Sequence, residues 1–321
     1  VLRDIKRYDR ALYRRIEYHY TGQPAPDLSK VSAVMFWLAD PLREHYPDCY
    51  AEAKAIADDA RERGIHIVNP PESLSNSIKS VQWSLWAEED IPTPPQHRFE
   101  DHGSLAELLP QVTFPAFIRS DEHHTQANMF LVQGPGDVQN LSRVEDSEQL
   151  FPGTITPLVD TREGYREPAS DTPWARYYHK KRALVCGEHV TPIHAYFSQE
   201  PIVGVHNSEL EFYTRAKHDG FRARWAAKKH CAPCIQADIE YCSQEVAHAD
   251  LMRRAVRALG LEFAAIDYAT HADGTPVLWE ANPYFVLPAW YQSVLARERR
   301  LKQRYRVINQ AVRDFMNALP G

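Results

Sequence analysis

The chain has 321 residues and a formal net charge of −6, with 44% hydrophobic and 25% charged residues. That length exceeds one small core and suggests about two domains or one large α/β unit. The acidic balance gives no reason to expect a nucleic-acid or membrane-binding surface, and no apolar run approaches the ~20 residues that a bilayer span needs.

The opening stretch, "VLRDIKRYDRALYRRIEYHY", is basic and aromatic without an apolar core. It is therefore no secretory signal, and residues 1–20 read as a helix with a charged face. Five cysteines stand at 49, 186, 231, 234 and 242, too scattered for a disulfide framework, so a reducing cytoplasm is expected. "VSAVMFWLA" (31–39) is a continuous apolar run, the mark of a strand buried on both faces. The Ala-rich "DCYAEAKAIADDARERG" (48–64) follows as a helix that Gly64 can cap, and "IHIV" (65–68) is a second strand. Strand, helix, strand at this spacing is a βαβ unit, which predicts a small parallel sheet.

"SNSIKSVQWSLWAEED" (75–90) is a helix with Ile78, Val81, Leu85 and Trp86 on one face, capped by Ser75, Asn76 or Ser77. "IPTPP" stops it. "FPAFIRS" (114–120), "NMFLVQ" (128–133) and "TITPLVD" (154–160) read as strands, with a turn at "GPG" and a polar loop over 161–175. "RALVCGEHVTPIHAYFS" (182–198) reads as a hairpin about Gly187-Glu188. Residues 237–260 form one long helix closed by Gly260, and the last segment, from Ala289 to about Leu319, is helical.

Between them lies "LEFAAIDYATHADGTPVLWEANPY", in which Asp273-Gly274 is the strongest short hairpin signal in the chain. Counting outward from that turn sets Asp267 opposite Glu280, with cross-strand Cβ atoms ~4.5–5.5 Å apart. Period-2 alternation puts Asn282 on the same face. Two opposed carboxylates raise each other's pKa unless a cation neutralises them. Either this is a solvent-facing hairpin, or the pair and the amide carbonyl hold a hard ion such as Mg²⁺.

Asp267, Glu280 and Asn282, the last two inside "E-A-N-P", resemble the metal-binding triad of ATP-grasp enzymes. Other pieces follow that family's order across roughly residues 30–290. The resemblance implies an α/β ATP-grasp fold: an N-terminal helix plus parallel-sheet domain (1–96), a small subdomain (97–160) and a C-terminal subdomain with the metal site (161–321), the last two clamping the nucleotide. It implies ATP and Mg²⁺ as cofactors and an ADP-forming ligation of a carboxylate to an amine through an acylphosphate. The partners would be small-molecule or peptide substrates in the cytoplasm, the chain a possible homodimer. Two alternatives stand beside it: a kinase-like member phosphorylating a small molecule, and a catalytically silent nucleotide-binding relative.

In this match "NPPESLSNSIKS" carries Lys79 at the family's lysine position; otherwise it is a solvated surface lysine. "FPAFIRS" has Arg119 where the family carries a phosphate-binding lysine; arginine keeps the charge and can grip phosphate bidentately. The glycine-rich phosphate loop is replaced by "DEHHTQAN" (121–128), whose His123 and His124 either donate to phosphate or lie exposed. Leu158 and Val159 in "TPLVD" would meet adenine through backbone groups, although the usual glutamate there is absent. Arg182 either takes the arginine near the transferred phosphoryl group or forms a strand-edge salt bridge. The arginine that many ligases place two residues before the metal aspartate is Ala265 here. His194 either lines the cleft or is an ordinary sheet histidine. His230, Cys231, Cys234 and Cys242 fit a zinc set poorly, a redox dithiol would want the Cys pair to open a helix after a strand, and they read chiefly as ordinary side chains.

Overall fold

The computed structural model describes residues 2–122, 129–141, 150–162, 172–204, 207–209, 220–271, 273–285 and 299–320. Three sheets organise them. Strands β1 (Ala33–Met35) and β2 (His66–Val68) pair in parallel, joined by the helix Pro47–Glu62, as the βαβ pattern predicts. Strands β3 (His97–Phe99), β4 (Ala116–Ser120), β5 (Met129–Val132) and β6 (Gly153–Pro157) form an antiparallel sheet in the order β3-β6-β4-β5. Strands β7 (Tyr178–Cys186), β8 (His189–Ser198), β9 (Phe263–Thr270) and β10 (Pro276–Asn282) form the other, in the order β10-β9-β7-β8.

The two faces of this last sheet differ, and the difference positions the site. One face carries Ala183, Val185, Ala195, Phe197, Ala264, Ile266 and Leu278 into a core shared with the helices Phe221–Cys242, Ala249–Ala258 and Lys79–Glu88. Alternation turns Leu184, Cys186, Phe263 and Ala265 the other way, where Ile308, Val312 and Phe315 of the helix Arg299–Ala318 cover them. Further along that second face the residues become Lys180, Arg182, Asp267 and Glu280. Apolar side chains thus serve as the floor for one half, and charged groups fill the other.

Several expectations change. Residues 1–20 hold two short helices, Leu2–Tyr8 and Arg10–Arg15, because Asp9 accepts from the Leu12 N–H and starts a new helix. The apolar run 31–39 yields only a three-residue strand. Residues 237–260 are split between two helices, with a break after Cys242 and a new start at Ala249. "GPG" opens the helix Pro135–Leu141 instead of a simple turn. His123 and His124, most of the polar loop 161–175 and the segment 286–298 lie outside the described residues.

Asn69, at the end of β2, ties the parallel pair to β9. Its amide accepts from the N–H groups of Glu262 and Phe263, both at 3.0 Å, and donates to the Phe263 carbonyl at 2.7 Å. It is 1% exposed and has φ of 54°, a conformation asparagine tolerates better than most residues. Asn69→Ala should therefore cost about 3 kcal/mol, since three buried hydrogen bonds vanish and the backbone strain stays. Urea denaturation measures this; a loss under 1 kcal/mol would mean that the tie is not structural.

Candidate functional site

The β9–β10 hairpin delivers the predicted opposition by an unpredicted route. Near the turn the register runs Pro276 to Thr270 and Leu278 to Tyr268, one residue short of the count that pairs Asp267 with Glu280. A bulge between Leu278 and Glu280 adds the missing residue, so Glu280 does face Asp267 and Asn282 faces Ala265. β9 also pairs with β7, Asp267 opposite Arg182, and β7 with β8, Arg182 opposite His194. The result is one row across all four strands: His194, Arg182, Asp267, Glu280. A second irregularity follows Arg182, and bulges of this kind re-aim side chains next to functional sites. The Tyr241 hydroxyl, from the end of the helix Phe221–Cys242, donates to the Arg182 carbonyl at 3.1 Å and fixes that point of the strand.

Asp267 is the hub. It is 1% exposed, yet its carboxylate receives Arg182 on both oxygens and Lys180 on Oδ2 at 2.8 Å. Burial pushes its pKa upward, but Arg182 and Lys180 outweigh that and hold it well below the usual carboxylate range. At an effective dielectric near 20, opposite unit charges about 4 Å apart attract by about 4 kcal/mol, enough to offset partial desolvation. Side chains of the protein thus set two cations directly on this acid. Lys180 escaped the sequence reading. Its signal was the period of a strand: in "HKKR" residues 180 and 182 share a face, while Lys181 turns away to Trp174, Tyr268 and the Thr270 hydroxyl at 3.1 Å.

Glu280 is held more loosely. Arg119 Nη1 stands 3.8 Å from its Oε2, and Asn282 Nδ2 donates to its Oε1 at 3.3 Å. Burial and Asp267 push its pKa up, while Lys180, Arg119 and Lys79 draw it below its ordinary value. Asn282, 5% exposed, turns its amide onto this acid. Arg119 crosses from β4 of the other sheet, and among the described residues its buried Nε meets no acceptor.

Lys79 opens the helix Lys79–Glu88 and is 2% exposed, so the surface-lysine alternative falls. The helix is not capped by Ser75, Asn76 or Ser77, which belong to a preceding 3-10 turn. Asp121, just past β4, caps it from 41 residues away: its carboxylate takes the Ser80 N–H at 2.8 Å and the Ser80 hydroxyl at 2.6 Å, and its carbonyl takes the Lys79 N–H at 3.2 Å. Gln82, one turn on, accepts from the Ala281 N–H at 2.6 Å, between Glu280 and Asn282 on the edge strand. Local sequence places Lys79 at a helix start; these long-range bonds place it between the sheets.

Burial and Arg119 push the Lys79 ammonium down to about 8. The folded chain thus gives up this proton more readily than the unfolded one, and holding the charged form costs stability, in full below about pH 8. That cost is relieved as pH rises from about 8 towards 10.5, where the unfolded chain holds more protons. Anion binding runs the other way. Affinity for a polyphosphate should fall by up to about tenfold per pH unit above about 8, and Lys79→Met should flatten the profile. Inorganic tripolyphosphate titrations at pH 7 to 10 test this; a flat wild-type profile would remove Lys79 from the site.

The structure therefore brings Lys79, Arg119, Arg182, Asp267, Glu280 and Asn282 together and adds Lys180. Of the adenine pair, Leu158 spends its N–H on the Pro115 carbonyl at 2.8 Å, so its own N–H cannot serve. The cysteine set does not assemble: Cys231 donates to the Glu209 carbonyl, Cys242 to that of Ile193, and burial pushes the Cys234 thiol up to about 12. No disulfide joins the five cysteines. Among the described residues no group of three or more His, Cys, Asp or Glu side chains could hold a metal, and no helix is long and apolar enough to cross a membrane.

No family model and no curated protein matches the chain. Among solved structures, an ATP-grasp ligase, PsnB, complexed with a minimal precursor aligns over 87% of this chain and 78% of its own, at 15% identity and a TM-score of 0.47. N5-carboxyaminoimidazole ribonucleotide synthetase from Thermotoga maritima aligns over 90% of this chain and 59% of its own, at 13% identity and a TM-score of 0.44. L-amino acid ligase from Bacillus licheniformis aligns over 76% of this chain and 54% of its own, at 13% identity and a TM-score of 0.42.

Proposed function

We propose that this chain is an ATP-grasp ligase that joins a carboxylate to an amine at the expense of ATP, which becomes ADP. The carrying observation is the convergence of Lys79, Arg119, Lys180 and Arg182 on two carboxylates and an amide where the two antiparallel sheets meet. A buried excess of cations around hard oxygen donors fits a polyphosphate with a divalent ion better than any neutral ligand. The unpartnered Arg119 Nε supports the same reading.

Glu280 and Asn282 present oxygen donors for a divalent ion, which when bound would neutralise phosphate charge. Lys79 and Arg119 hold phosphate oxygens from the two sides of the cleft. Arg182, fixed by Asp267 and by Tyr241, keeps its guanidinium where negative charge grows as the phosphoryl group moves to the substrate carboxylate and the amine then displaces phosphate. Such chemistry rests on positioning and fixed charge, with little covalent work for the protein. Leu158 and Val159 are the proposed adenine contacts, through the Leu158 carbonyl and the Val159 backbone. On this reading the chain divides into three parts at residues 96 and 160.

A screen of amino acids and peptides for Mg²⁺-dependent ADP release, with mass detection of the condensed product, tests the reading. Release of AMP would contradict the acylphosphate route. A stable phosphorylated product formed without an amine would replace ligase with kinase.

A further inference from the structure

Phosphoryl-transfer sites commonly set two divalent ions about 3.5–4 Å apart on shared carboxylates. The donor set here has room for one. Asp267 Oδ2 accepts from Lys180 at 2.8 Å and from Arg182 Nη2 at 2.7 Å, and Oδ1 accepts from Arg182 Nε. The carboxylate is 1% exposed, so water does little to screen these contacts. A dication brought to either oxygen would stand beside the guanidinium or ammonium already bound there, and like charges at that range repel strongly in a buried setting. Glu280 is different: among the described residues Arg119 stands 3.8 Å away, a neutral amide donates to it, and Lys180 and Lys79 act only through their charge.

We propose, resting on the nucleotide reading above, that the site works with a single divalent ion on Glu280 and Asn282. Lys180 and Arg182, clamped on Asp267, supply the positive charge that a second ion would bring. Both cations leave β7 on the same face, and both keep part of the side chain exposed, 17% for Lys180 and 20% for Arg182. The two heads can therefore hold Asp267 and still meet a ligand's oxygens. Asp267 is then a positioning residue for two cations and no metal ligand.

The test counts ions. The whole chain, saturated with the non-hydrolysable ATP analogue adenylyl imidodiphosphate, is titrated with Mn²⁺, and free Mn²⁺ is read by electron paramagnetic resonance. One bound ion per chain is expected; two would overturn the inference. Glu280→Gln should weaken Mn²⁺ binding by at least about tenfold, and Asp267→Asn by less than about threefold. If Asp267→Asn fails to fold, the pair Asp267→Asn with Arg182→Met removes both charges together and serves instead. Equal losses at 267 and 280 would overturn the assignment of Asp267. Lys180→Met should lower analogue affinity about tenfold with the ion count still one, and unchanged affinity would remove Lys180 from the clamp. Failure to bind the analogue at any Mn²⁺ concentration overturns the nucleotide reading and this inference with it, whereas a bound analogue with two ions overturns the inference alone.

Discussion

Glu280→Gln will abolish Mg²⁺-dependent nucleotide turnover, a fall of at least about a thousandfold, and leave the protein folded. The substitution keeps size and shape but removes the one carboxylate of the row that the protein's own cations do not saturate. Its neighbours lose little structurally. Asn282 Nδ2 still finds an oxygen, and Arg119, 3.8 Å away, forfeits only a loose ion pair. Circular dichroism and urea denaturation should therefore match wild type within about 1 kcal/mol, because no buried hydrogen-bonded pair is broken. Full activity in a folded Glu280→Gln protein would remove the site assignment.

Asp267→Ala will act through stability first. Removing the carboxylate strands a guanidinium and an ammonium beneath a sheet strand with no counter-charge, which costs about 3–5 kcal/mol. Replacing Arg182 and Asp267 together, with Met and Leu, should cost much less than Asp267→Ala, since the pair disappears with its desolvation penalty. A urea-derived double-mutant cycle over the two sites measures the coupling. Additive effects would mean that the pair does not stabilise the fold, whatever its place in the chemistry. The contrast between the two acids is the informative part: one change should stop turnover in a stable protein, the other should loosen the protein itself.

The parts of this site that the sequence disclosed are those governed by short range. Asp-Gly between two apolar arms marks a hairpin, and a period of two places Glu280 and Asn282 on the face of Asp267. The count succeeded because two departures cancelled: the turn shifts the ladder by one residue and the bulge before Glu280 shifts it back. The parallel β1–β2 pair was legible for the same reason, since strand, helix and strand follow one another within one stretch of chain. What stayed hidden depends on distance along the chain. Asp121 caps a helix 41 residues earlier, so local cap signals at Ser75 to Ser77 pointed to the wrong residues. Lys180 reaches Asp267 across 87 residues, and a reading keyed to Arg182 passed over its neighbour. The helix boundaries at Asp9 and after Cys242 differ again: a charged pattern continues through both, while the Asp9 side chain takes the Leu12 N–H and the bonds after Cys242 tighten to the third residue back.

The cap that Asp121 places on the helix Lys79–Glu88 couples the two antiparallel sheets. Asp121 travels with β4, whereas Ser80 travels, through Gln82 and the Ala281 N–H, with the edge of the acid-bearing sheet. Swinging the sheets apart would strip the first turn of that helix of its acceptor, an enthalpic penalty falling right beside Lys79. For the proposed nucleotide site, any parting of the sheets would first have to undo this molecular hasp.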